Sequence, residues 1–220
     1  MGEATINQQT GELVIQSILY FYGQAATEVL SCDIAEDISR HWNEPRASIK
    51  IHGRPYRLRF LISGVYAPDL EPETVWYNDD PKINFFRLEN FAEGNISFVD
   101  GYGCNTGYFK LANLLQTSTT AAHEYGHSLG LYHPSILDIR GGFPPAIMYP
   151  RGTLCDPAYQ YDPKAAPGAN GGTLDPRHRK VLEMDIKALE LHKLDFNEAG
   201  KSIVGDFSSI FHQQHKEQDS

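Results

Sequence analysis

Cysteine is scarce in this 220-residue chain: Cys32, Cys104 and Cys155 are the only three. An odd count excludes a fully paired disulfide framework. Cys104 and Cys155 could pair or stay free thiols, and the sequence leaves both open. Basic residues are also few, 19 Lys and Arg against 28 Asp and Glu, and the formal net charge is −9. That balance argues against a general nucleic-acid surface, which would be basic. No run of about twenty apolar residues occurs, so no transmembrane helix is expected. The apolar stretch from Leu13 to Tyr22 follows Glu3 and Glu12 with no basic segment ahead of it, and does not read as a secretory signal peptide. There is no internal repeat and no sign of a second domain. Hydrophobic content of 41% suffices for one packed core. Residues 1–220 therefore read as a single domain. Residues 1–10 read as an N-terminal extension and 200–220 as a weakly patterned tail, with His212 and His215 solvated.

The chain does contain one dense stretch, His123-Glu124-Tyr125-Gly126-His127-Ser128-Leu129-Gly130-Leu131-Tyr132-His133. His123 and His127 are four apart, which on a helix puts both rings on one face, one turn apart. Two imidazoles so placed can hold one zinc ion at about 2.0–2.1 Å each. In the zinc-peptidase reading of this spacing, Glu124 is the general base that acts on water. Gly130 tolerates positive φ and is suited to end the helix in the left-handed conformation. A sharp turn there brings His133 back as a third nitrogen ligand, and three protein ligands with one open position form the pattern of a catalytic zinc site. A rival arrangement keeps His123 and His127 but takes its third ligand from Glu183 or Glu190.

These residues resemble the signature of metzincin zinc endopeptidases, HExxHxxGxxH. Within that clan, His-Glu-x-Gly-His-Ser-Leu-Gly-Leu is close to the matrixin wording. Ala146-Ile147-Met148-Tyr149-Pro150 resembles the methionine-containing turn of the same family. The resemblance implies an α+β, sandwich-like domain: a mixed twisted sheet, an active-site helix and a C-terminal helix behind the methionine turn. It implies Met148 as an apolar floor under the histidines, zinc as cofactor, a protein or peptide substrate, and secretion or export. Acidic loops in matrixins bind calcium, which makes Asp79-Asp80 a calcium candidate beside the plainer reading of a solvated loop. No segment matches the cysteine-bearing propeptide of latent matrixins.

Two departures stand out. Fourteen residues separate His133 from Met148, longer than in matrixins, and Gly130-Leu131-Tyr132-His133 also resembles the pappalysin group. After the turn the chain continues Pro150-Arg151-Gly152, without the tyrosine that walls the matrixin specificity pocket, and Pro150 stands where an astacin tyrosine ligand would fall. The expected function is a zinc-dependent endopeptidase. The other readings are a peptidase-like module that holds metal without turnover, or a delivered toxin or effector using the same chemistry.

The remaining pattern gives the expected elements. Leu13 to Tyr22 reads as a buried strand. Thr27 to Trp42 reads as an amphipathic helix with Thr27 as N-cap and Pro45 as stop. Strands follow at Ala47 to Ile51 and through Tyr56, Leu58, Phe60 and Ile62. Ala67 to Lys82 reads as a loop. Ile83 to Leu88 and Asn95 to Val99 read as strands, one of them an edge along which a substrate could lie. Asp100 to Gly107 reads as a turn region. Leu111 to Leu129 holds the active-site helix, started at Thr117, Ser118 or Thr119. Asp156 to Thr173 reads as a loop over the cleft. Asp175-Pro176 starts a second long helix carrying Val181, Leu182, Met184, Ile186, Leu189 and Leu191.

Overall fold

Apolar and aromatic alternation builds the strands of the first half. Gly2–Asn7 forms β1 and Glu12–Tyr22 forms β2 in a computed structural model that describes residues 1–162, 164 and 172–216. Helix α1 (Glu28–Asn43) starts where expected: the Thr27 hydroxyl accepts from the Leu30 amide at 3.2 Å. Strands β3 (Ser48–Ile51) and β4 (Arg54–Tyr66) follow as an antiparallel pair. A short helix α2 (Pro72–Trp76) lies inside the segment expected to be loop. Then come β5 (Ile83–Glu89), β6 (Phe98–Val99), β7 (Thr106–Lys110), helix α3 (Thr120–Ser128), helix α4 (Glu183–Ala188) and β8 (Lys201–Val204).

The fold is α+β, with one mixed sheet and few helices. The strand order is β3-β4-β2-β5-β7-β6. The β4–β2, β2–β5 and β5–β7 pairs are parallel, whereas β3–β4 and β6–β7 are antiparallel. β2 is long enough to serve two partners on one side. Its first half pairs with β1 (Ala4 opposite Ile15) and its second half with β5 (Tyr20 opposite Phe85). β1 pairs in turn with β8.

The inner face of β2 and β4 presents Leu13, Ile15, Leu19, Phe21, Leu58, Phe60 and Ile62, all buried. Against it lie Ile34, Ala35, Ile38 and Trp42 of α1, and Ala121, Ala122 and Tyr125 of α3. Tyr125 fixes the position of α3. Its ring meets Trp42 edge-on at 5.8 Å, and its hydroxyl lies 2.8 Å from Ser17 Oγ on β2. Trp42 Nε1 donates to the Ala122 carbonyl at 3.0 Å. The helix that carries the histidines is therefore anchored through one aromatic side chain and one indole N–H before any site residue is considered.

Several expectations are corrected. Residues 1–10 are not a mere extension, since 2–7 form β1 within the sheet. The last segment is not an unpaired tail: β8 joins the sheet, and beyond it His212 Nε2 lies 2.9 Å from both carboxylate oxygens of Asp100. His215 stacks on Tyr108 at 4.0 Å. Both histidines are half-buried rather than solvated. The region 100–107, expected as turn alone, contributes the start of β7. The helix that carries His123 and His127 does begin where expected, at Thr120 with Thr119 at its N-cap, although the Thr119 side chain makes no capping hydrogen bond; Gln116 and Thr117 adopt positive φ ahead of it.

The long C-terminal helix does not form. Asp175 does accept from the Arg177 amide at 3.0 Å, but a single 3₁₀ turn (Pro176–His178) follows, and α4 has six residues. Between them the chain is extended and pairs with the methionine turn, the Lys180 amide donating to the Pro145 carbonyl at 2.9 Å. That pairing withdraws the backbone from a helix. The cysteines are free thiols, so no Cys104–Cys155 bridge exists. Of the loop expected over Asp156 to Thr173, residues 163 and 165–171 lie outside the described residues. No helix among the described residues is long and apolar enough to cross a membrane.

Candidate metal centre

Helix α3 carries His123 and His127 on one face, as four-residue spacing requires. It ends in the motif that Gly130 predicts. The Leu131 amide donates back to the Gly126 carbonyl at 3.0 Å and the Gly130 amide to the His127 carbonyl at 2.9 Å. Gly130 sits at φ +96, and a Cβ there would meet nothing within 4 Å. The requirement at this position is therefore conformational rather than steric: it is the left-handed residue of a Schellman cap. The reversal returns His133 to the helix face.

The result is a convergence of three imidazoles. Nε2 of His133 lies 3.0 Å from Nε2 of His123 and 3.0 Å from Nε2 of His127. A tetrahedral ion with arms of 2.0–2.1 Å needs its ligand atoms about 3.3 Å apart, so the triangle is close to the required size. The opposite ring nitrogens are spoken for. His123 Nδ1–H donates to the Ile147 carbonyl at 2.7 Å, and His127 Nδ1–H to the Leu131 carbonyl at 2.7 Å. These bonds fix the tautomer of the two helical histidines so that their Nε2 lone pairs face the His133 ring, which suits a shared cation. Among the described residues this is the one group of three His, Cys, Asp or Glu side chains able to hold a metal ion. Glu183 and Glu190, the rival third ligands, are exposed and paired with Lys187 and Lys193. At the calcium candidate, Asp80 is paired with Lys82 at 3.2 Å.

Burial of His123 and His127, and partial loss of solvent at the more exposed His133, disfavour the imidazolium. This loss of solvent pushes His127 down to about 4, and holds His123 well below and His133 below the ordinary histidine range. The positive charge of Arg179 acts in the same direction on all three. Glu124, also buried, is pushed up to about 8 by loss of solvent, against the pull of Arg179, the Val99 amide and Arg151. A dication on the histidines favours the carboxylate and brings this group down towards the range of a base at neutral pH.

The cluster opens into a cavity of about 480 Å³. The three histidines and Glu124 form one side, and Phe98 and Val99 of β6 form another. β6 is the end of the sheet order, so its outer edge faces this space. That answers which of the two expected strands is an edge: β6 is, whereas β5 lies between β2 and β7. Tyr102 lines the cavity, its ring 4.0 Å from that of the exposed Tyr132 and tilted against it, and 5.4 Å from the His127 ring. Pro150, Arg151 and Gly152 occupy the rim where a wall tyrosine was noted as missing.

Met148 is buried and packs on the helix at Gly126. Two further residues hold the turn that carries it. Asp185 of α4 accepts from the Ile147 amide at 3.4 Å and from the Leu182 amide at 2.8 Å. Arg179, 3% exposed, donates from Nη1 to the Tyr149 carbonyl at 3.0 Å and from Nε to Thr119 Oγ1 at 3.0 Å. The α4 segment therefore does lie behind the turn, though as a short helix. Sequence reasoning did not reach Arg179 or Asp185, because a lone charge in a charged segment carries no signal. Gly126 was visible only as a letter in the motif.

A Cβ on Gly126 would come within 2.3 Å of Met148 Sδ and 3.2 Å of Trp42 Cζ2. Gly126→Ala should gain about 1 kcal/mol of helix propensity and lose about 1–3 kcal/mol to overpacking. A net fall in thermal stability is expected, and a melting curve at or above that of wild type would show that Met148 can move aside at no cost.

No protein-family model matches this sequence, and no curated protein matches it either.

Proposed function

We propose that this chain is a zinc-dependent endopeptidase of metzincin type. The observation that carries the reading is the meeting of three Nε2 atoms, 3.0 Å from His133 to each of the other two, in the same cavity as a buried glutamate. His123, His127 and His133 are the residues that hold the ion. Their spacing, and the fixed tautomers of His123 and His127, suit zinc. Zinc bound there supplies a Lewis acid that polarises the scissile carbonyl and makes water more acidic. Glu124 takes the proton from the attacking water and returns it to the leaving amine. An extended peptide fits along the free edge of β6, adding backbone hydrogen bonds to the sheet. Met148, seated on Gly126, and Ile147, bonded to His123, give the methionine turn its part in holding the ligands. The decisive experiment is metal analysis of the purified chain together with digestion of a mixed peptide library with and without a chelator. One zinc per chain and internal cleavage that the chelator abolishes support the proposal; metal-independent cleavage, or zinc without cleavage of any peptide, refutes the activity.

Zinc affinity should resist mild acid. Burial penalises the imidazolium, so protons compete poorly with a cation for Nε2. A histidine of pKa about 6.5 loses roughly 30-fold in metal affinity by pH 5. His127, pushed down to about 4, should contribute almost no loss over that interval. Competition titrations between pH 7 and 5 test this, and an affinity that collapses from pH 6.5 downward would contradict it.

A further inference from the structure

Arg179 is a buried cation with no carboxylate in direct contact, Glu124 acting on it only from across the cavity. Its side chain lines the cavity beside the histidines and Glu124, yet among the described residues no carboxylate oxygen lies within 4.0 Å of its guanidinium. Two of its five N–H groups are used, one on Thr119 Oγ1 and one on the Tyr149 carbonyl. The Nη2 group makes no hydrogen bond among the described residues, and it is not one of the fully enclosed polar atoms left without a partner. The side chain that carries it lines the cavity. A guanidinium removed from water normally sits opposite a carboxylate or phosphate, because burial of an unpaired charge is costly. Thr119 and Tyr149 orient the fork from two sides, so its free donors are pre-aimed.

The rest of the cavity agrees. Its charged lining is Arg151, Arg179 and Glu124, together with three neutral imidazoles. The chain as a whole carries −9, but the cavity does not share that balance, and a bound dication would make it more positive still. The negative charge of the protein thus does not disfavour an acidic substrate at this place. Arg179 also bears on each of the four titratable groups in the cluster, which locates it next to the reacting centre rather than at a distant rim.

We propose that Arg179, with Arg151 at the rim, recognises a carboxylate of the peptide substrate next to the scissile bond. This rests on the peptidase reading and names its substrate class. The carboxylate has two sources: the side chain of an Asp or Glu flanking the bond, or the free C-terminus of a peptide cut near its end. Both suit a guanidinium fork, whose paired donors match the two oxygens.

The test is binding, so that it does not depend on turnover. Zinc-loaded full-length chain carrying Glu124→Gln is titrated by calorimetry with short alanine-based peptides in matched pairs. One pair differs only by Glu against Gln at a central position, both ends blocked. The other differs only by a free against an amidated C-terminus. Charge-assisted pairing should favour the carboxylate member of one pair by roughly 10- to 100-fold. Which pair discriminates identifies the source. Adding Arg179→Gln should remove the discrimination, and Arg179→Lys should keep only part of it, because a point charge cannot form the fork. Equal affinity within both pairs, or discrimination that persists after Arg179→Gln, overturns the proposal. If Arg179→Gln does not fold, Arg179→Lys carries the comparison, and discrimination that it leaves undiminished overturns the proposal. Selective carboxylate binding in a chain whose Glu124-intact form cleaves nothing would instead remove the peptidase reading and leave the anion site standing.

Discussion

Replacing Glu124 by glutamine should leave one zinc per chain and lower peptide turnover by about 10²–10⁴-fold. The side chains are nearly the same size, and the three Nε2 ligands and their Ile147 and Leu131 partners are untouched. What is lost is a group able to take a proton. The variant also separates chemistry from folding. The folded chain without metal holds the Glu124 carboxyl up at about 8, well above its ordinary value, because burial disfavours the charge. Such a group helps the fold while protonated and ceases to do so as pH rises from the usual carboxylate range through about 8. A neutral amide does not ionise. The metal-free Glu124→Gln chain should therefore melt higher than the metal-free parent at pH 8, and the gap should narrow towards pH 5. Loss of activity with a gain in stability identifies a base; loss of both would identify a residue needed mainly for packing. Retained turnover in the metal-replete variant would end the assignment of Glu124 as base.

The second large effect is at His133. This ligand arrives from beyond the helix, on the segment reversed at Gly130, and it is exposed, whereas His123 and His127 are buried. His133→Ala removes one of three protein ligands while leaving the helix and its cap intact. In the parent chain, zinc at a thousand times its dissociation constant should stabilise the fold by about 4 kcal/mol. For a domain of this size that is a rise of about 8–16 °C in Tm. His133→Ala should abolish most of this rise while leaving the metal-free Tm within a few degrees of the parent. Glu183→Ala serves as the control and should keep the full shift, because Glu183 is paired with Lys187 at the surface. A zinc-induced rise that survives His133→Ala but not Glu183→Ala would restore the rival ligand set.

The three-histidine cluster was legible because spacing along a helix is geometry. His123, His127 and the reversal at Gly130 follow from 3.6 residues per turn and from the one residue type that accepts positive φ freely. The strands of the first half were legible because Leu58, Phe60 and Ile62 alternate as a half-buried strand must. The second half was harder to read for the opposite reason. Leu182, Ile186 and Leu189 have a helix-like rhythm, yet the backbone between Arg179 and Val181 pairs with the methionine turn, a tertiary competitor that local pattern cannot reveal. β1 was missed because Gly2, Ala4, Thr5 and Asn7 carry little strand signal; pairing with both β2 and β8 makes it a strand. Arg179 was missed because burial of a charge depends on what surrounds it in space, and its neighbours Thr119, Glu124 and Tyr149 are thirty or more residues away along the chain.

The position of β1 has a consequence for how the protein is made. Ala4 is matched on one side by Ile15 and on the other by Ser202. The first of these partners follows it closely on the ribosome, and the second only after residues 16–201 have been translated. Throughout elongation, then, one row of amide and carbonyl groups on β1 is open to any extended segment nearby. The histidine cluster, confined to residues 123–133, and the methionine turn are complete well before that edge closes. A nascent chain stalled between Met148 and Lys201 would already carry the whole three-histidine cluster while still exposing a strand edge prone to pairing with another copy.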